Sequence, residues 1–122
     1  MDRKYVMTAI GYGILGLILG IYMAATRNHS QLPTHAHIML LGFVVSFIYG
    51  ASFKLWLSEA SGKLVSVQFY LHQIGTPILL LSLFLMYGNV VAAKSLAPFL
   101  ALSSILILAG MICFKVLFIK NK

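Results

Sequence analysis

"LPTHAHIMLLGF", residues 32–43, decides how this chain is read. Pro33 suits the first turn of a helix, where its missing N–H costs nothing. His35 and His37 follow, one residue apart, and the chain then runs apolar from Ile38 to Val45. A segment that passes from two imidazoles straight into such a run reads as the mouth of a membrane span.

The remainder of the chain is built the same way. It has 122 residues, 61% of them hydrophobic and 9% charged. Soluble domains carry about 25% charged residues, so this composition cannot build a water-facing surface. Four stretches, roughly Tyr5–Ala25, Ile38–Leu57, Val65–Gly88 and Leu96–Ile119, approach or exceed the ~20 residues that cross a hydrocarbon core of about 30 Å. The expected fold is all-α: an integral membrane four-helix bundle, a single domain over residues 1–122, with the lipid bilayer as its solvent. Short loops imply antiparallel neighbours.

The net charge of +7 comes from basic residues scattered singly, with no basic run, which argues against nucleic acid as a partner. Topology accounts for them better. Four spans place both termini and the loop between spans two and three on one side, with Arg3, Lys4, Lys54, Lys63, Lys115, Lys120 and Lys122. The opposite side has Arg27 and Lys94. The positive-inside rule then puts both termini in the cytoplasm and the chain in the inner (cytoplasmic) membrane, with His35 and His37 near the outer end of span two. The first span follows a basic start, but it is too long for a signal-peptide core and no A-x-A site follows, so it reads as a retained helix. Cys113 is the single cysteine, which leaves no C-x-x-C-H motif; any haem would be held by coordination alone.

Small residues form two stripes: Gly13, Gly16 and Gly20 in span one, and Gly42, Ser46 and Gly50 in span two. Such stripes let helices approach closely, or alternatively leave a flat slot for a planar ligand. Pro77 predicts a kink in span three that frees the carbonyl of Gln73. Ser95 and Pro98 read as the opening of span four.

Ionisable groups within spans are costly and tend to face a bundle interior or a functional site. His29 falls in the outer loop and reads as solvated. For His35 and His37 the plain reading is an interfacial pair bonded to headgroups or loop carbonyls. The sharper reading is metal ligation, since neutral imidazole suits haem iron, copper and zinc. Helix positions i and i+2 point about 200° apart, so the pair cannot chelate one ion. His35 shares a face with Met39, Gly42 and Ser46, and His37 with Leu41, Val44 and Ile48. His72, beside Gln68, Gln73 and Thr76, falls roughly 15 Å nearer the cytoplasm than His37, too far to share an iron with it. It marks either a separate metal site or a packed histidine bonded to the carbonyl freed near Pro77.

The stretch "HAHIMLLGFVVSFIYGASFKLW", His35 to Trp56, resembles the tenth helix of the catalytic subunit of haem-copper oxidases, most closely the C-type oxidases and nitric oxide reductases. The matching residues are His35-Ala36-His37, Leu41-Gly42-Phe43 and Tyr49-Gly50. The next span, with Phe69, Tyr70, Leu71, Ile74 and Gly75, is similar to the helix that follows in those subunits. The resemblance implies His35 as ligand of one haem and His37 as ligand of another, each binding haem b iron. It covers about half the chain. The family's adjacent histidine pair for copper, its H-P-E-V-Y-like segment and its His–Tyr cross-link have no counterpart here, and His72 has none in the matching helix.

The family subunit has twelve spans, so a homotrimer of four-span chains would restore the count. Each haem would then lie between His35 of one copy and His37 of the next, and three His72 side chains would meet near the axis to hold copper. The expected function is a membrane haem b protein for electron transfer or O₂/NO chemistry, with an electron donor that the sequence does not name. Thr34, Asn28 and Gln31 are expected to hydrogen-bond the ligands. Alternatives are a small haem or copper transporter or assembly protein, with Met39 beside His35 suited to cuprous copper, and a structural accessory subunit. No acid–base pair or nucleophile presents itself as catalytic.

Overall fold

The computed structural model describes residues 1–121. Four helices are long and apolar enough to cross a membrane: α1 (Asp2–Thr26), α2 (Leu32–Leu55), α3 (Lys63–Tyr87) and α4 (Ala93–Lys120). Their outward faces are apolar, with Ile14, Leu17 and Ile21 on α1 and Ile105, Leu108 and Ile112 on α4 exposed. The chain is thus an all-α multi-pass membrane protein.

α2 begins at Leu32, ahead of the apolar run at Ile38, with Pro33 in its first turn as expected. The early turns are held to α3 because the Gln31 side chain donates to the Phe84 carbonyl at 2.9 Å and the Thr34 hydroxyl donates to Gln31 Oε1 at 2.7 Å. Both outer histidines therefore lie within the helix. α4 opens at Ala93, before Ser95; Ala92 is the extended residue that precedes it, no side chain caps it, and Pro98 falls inside the helix.

The middle of α2 departs from α geometry. Residues Ile38–Val45 form a π-helical stretch, in which each N–H bonds five residues back. The wider turn advances each side chain by less than the α angle, so the second half of α2 is rotated from its expected phase. His35, Met39 and Gly42 all contact α1 as the periodicity predicts, but Ser46 faces α3 instead.

The seam between α1 and α2 is made by the glycine stripes. Gly16 receives Met39 and Ile38, Gly42 receives Tyr12, and Gly50 lies against Tyr5 and Val6. Side chains fill these notches, so they are close-packing sites and leave no flat slot. Gly75 and Gly110 do the same between α3 and α4, against Leu106 and Leu71.

The result is two tight hairpins. At the end of the bundle that carries the chain termini they are joined by large side chains: Tyr5, Tyr49, Phe53, Leu57, Val65, Phe114 and Leu117 form one buried cluster. Ring centroids of Tyr49 and Phe114 are 4.5 Å apart, and those of Tyr5 and Phe69 are 5.0 Å apart. At the other end the start of α2 stays bonded to α3 through Gln31, while α1 and α3 stand apart. A groove of about 820 Å³ opens there, walled by Tyr12, Leu15 and Ile18 of α1 and by Leu80, Leu81 and Phe84 of α3.

Candidate functional site

His35 occupies the α1–α2 seam, where Gly20 leaves room for its ring. A Cβ at Gly20 would come within 3.1 Å of the imidazole Cε1. Its Nδ1 lies 2.9 Å from the carbonyl of Gly16. A carbonyl can only accept, so Nδ1 carries the proton and Nε2 is left with a bare lone pair.

His37 repeats this arrangement by another route. Its Nδ1 lies 2.7 Å from the carbonyl of Pro33, one turn back on its own helix. The same logic places the proton on Nδ1 and the lone pair on Nε2. Among the described residues, neither Nε2 has a hydrogen-bond partner. Both rings are half-buried. His35 turns to α1 while His37 stays on its own helix, so one protomer does not bring the two nitrogens to a common point.

The expected hydrogen-bonding partners Thr34, Asn28 and Gln31 are engaged elsewhere. Thr34 and Gln31 bond each other, and Asn28 Oδ1 accepts from the Ser30 N–H at 3.0 Å. Backbone carbonyls hold the imidazoles instead. Met39, expected as a soft ligand beside His35, is packed onto Gly16 in the seam.

His72 has the opposite arrangement. It is 1% exposed. Its Nε2 lies 3.0 Å from Ser46 Oγ and 3.5 Å from Thr76 Oγ1, and its Nδ1 has no partner. Tyr49 meets it edge-on at 5.1 Å between centroids. The packed-histidine expectation is met in place, but its partners are hydroxyls rather than a carbonyl freed by Pro77. Such burial also corrects the expectation of a three-fold axial site: a side chain enclosed by its own protomer cannot meet its copies at an axis. Sequence reasoning treated Ser46 as a mere small residue and did not single out Tyr5, whose hydroxyl donates to Gln68 Oε1 at 2.6 Å.

Asp2 lies at the terminal end, 3.9 Å from the N-terminal ammonium, and Glu59 is exposed in the loop between α2 and α3. Neither approaches a histidine. Among the described residues, no three His, Cys, Asp or Glu side chains gather where they could hold a metal ion. A protein-only cage of the structural-zinc kind is therefore not what the chain offers. It offers single imidazoles, each braced at Nδ1 by a backbone carbonyl and without a partner at Nε2.

Comparison with protein-family models, with curated proteins and with solved structures finds no match to this chain.

Proposed function

We propose that this chain is a membrane haem-binding protein in which His35 and His37 give their Nε2 lone pairs to haem b iron. One observation carries the reading: both rings donate Nδ1–H to a backbone carbonyl, at 2.9 and 2.7 Å, and keep Nε2 uncommitted. Metal-bound histidines are oriented in this way, because the carbonyl fixes the tautomer and raises the basicity of the other nitrogen. Haem also suits a site without a ligand cluster, since the macrocycle provides the equatorial donors and the protein only the axial ones. Once bound, the iron would supply one-electron transfer, or O₂ or NO binding where an axial position opens.

The residues present fit that role in named ways. Gly20 makes space for the His35 ring, Gly16 supplies its acceptor, and Pro33 supplies the acceptor for His37. The two Nε2 atoms diverge, so an iron with two histidine ligands draws one from each of two copies. A homotrimer satisfies this for every copy and gives twelve spans, in keeping with the resemblance to the haem-copper oxidase catalytic subunit. Basic residues at the terminal end favour both termini in the cytoplasm, in the inner membrane.

The test is the absorption spectrum of the protein purified with haem supplied. A Soret band that sharpens and shifts on reduction is expected. A preparation that stays colourless contradicts the reading. Native mass measurement in detergent checks the assembly: three chains with haem are expected, and a haem-loaded monomer or dimer rules the trimer out.

A further inference from the structure

Gln68 and His72 sit one turn apart on the same face of α3, at 0% and 1% exposure. Each keeps one buried polar atom without a partner, Gln68 Nε2 and His72 Nδ1. Buried polar atoms in folded proteins are nearly always paired, and inside a bilayer bulk water cannot reach them. Two orphans within one helical turn call for a shared explanation.

Their chemistries are complementary. Gln68 Oε1 accepts from the Tyr5 hydroxyl at 2.6 Å, the amide orientation that places its NH₂ on the other side. Gln68 Nε2 can only donate. For His72 the tautomer follows from Ser46. Assigning the Ser46 proton to the Leu41 carbonyl, 3.3 Å away, leaves its oxygen to accept from His72 Nε2–H at 3.0 Å. Neutral imidazole with its proton on Nε2 has a lone pair at Nδ1. One orphan is thus a donor and the other an acceptor.

We propose that a single water molecule is bound between Gln68 Nε2 and His72 Nδ1, accepting from the amide and donating to the imidazole. Water does both through one atom, and it is the smallest molecule that does so. The bound water completes a hydrogen-bonded chain that runs from Tyr5 through Gln68, water, His72 and Ser46 to the Leu41 carbonyl. That chain links α1, α3 and the π-helical turn of α2. With every member satisfied, it rigidifies the junction of the two hairpins beside the aromatic cluster. His72 is thereby committed to structure through both nitrogens. The inference does not depend on haem.

Solid-state ¹⁵N NMR of the full chain in lipid bilayers, with labelled histidine and glutamine, tests it. The expected result is a His72 ring protonated at Nε2, an unprotonated Nδ1 shifted by an accepted hydrogen bond, and a magnetisation-exchange peak between water and the Gln68 side-chain amide. Gln68→Met should abolish that peak and move the His72 Nδ1 resonance to its non-bonded position. A proton on Nδ1 overturns the inference. So does a Gln68 amide without a water peak, including one bonded directly to His72. If Gln68→Met does not fold, the two readouts on the unaltered protein decide.

Discussion

The two ends of this bundle treat their histidines in opposite ways. Towards the terminal end, aromatic rings join the hairpins and Tyr5, Gln68 and His72 are buried among them. Tyr5 bonds Gln68, and His72 spends Nε2 on Ser46 and Thr76. At the far end a groove of about 820 Å³ opens between α1 and α3 beside the Gln31–Phe84 bond, and His35 and His37 are held only by carbonyls of the α1–α2 hairpin. The same side chain is therefore a core component at one end and a braced, uncommitted base at the other. The neighbours decide which: hydroxyls of Ser46 on α2 and Thr76 on α3 itself take Nε2 of His72, while nearby backbone carbonyls take Nδ1 of the outer pair and leave Nε2 without a partner.

Breaking the terminal end should cost most. Tyr5 is fully buried against Tyr49, Phe53 and Phe69. Tyr5→Ala removes those contacts and strands Gln68 Oε1, so a loss of about 3–5 kcal/mol is expected in detergent unfolding. An effect no larger than that of a surface substitution would mean that the hairpins are joined elsewhere.

A subtler probe is Ser46→Ala, which takes the acceptor from His72 Nε2 and the side-chain bond from the Leu41 carbonyl. The remaining Thr76 contact is long at 3.5 Å. About 1–2 kcal/mol of destabilisation is expected from a buried donor left largely unpaired. Thermal unfolding in bilayer discs checks it, and an unchanged midpoint would remove Ser46 from the account.

The smallest effect belongs to the groove. Leu81 lines it and is 61% exposed, so Leu81→Ala should change stability by no more than about 0.5 kcal/mol in the same unfolding assay. A large loss there would show that the two ends are packed alike and that the comparison fails.

Much of the fold was legible. Four apolar runs and their short connections give the number and direction of the helices, and the spacing of Gln68, His72 and Thr76 at every fourth residue marks one polar face of α3. The opposed directions of His35 and His37 followed from helix geometry alone. The π-helical turn did not, because Ile38–Val45 is uniformly apolar and nothing local distinguishes a bond five residues back from one four back. That turn rotates Ser46 onto His72, so the partner of the buried histidine was hidden with it. The bracing of the outer pair was hidden for a different reason. Its acceptors are main-chain carbonyls of Gly16 and Pro33, and every residue has one; only the fold says which carbonyl meets which ring.

The most direct test of the difference between the two classes of histidine is a haem titration of three single variants, His35→Ala, His37→Ala and His72→Gln, beside the unaltered chain. The account predicts that the first two lose the spectrum of bis-imidazole iron, while His72→Gln retains haem at the original stoichiometry. Retention of that spectrum in either outer variant, or its loss in His72→Gln alone, would contradict it.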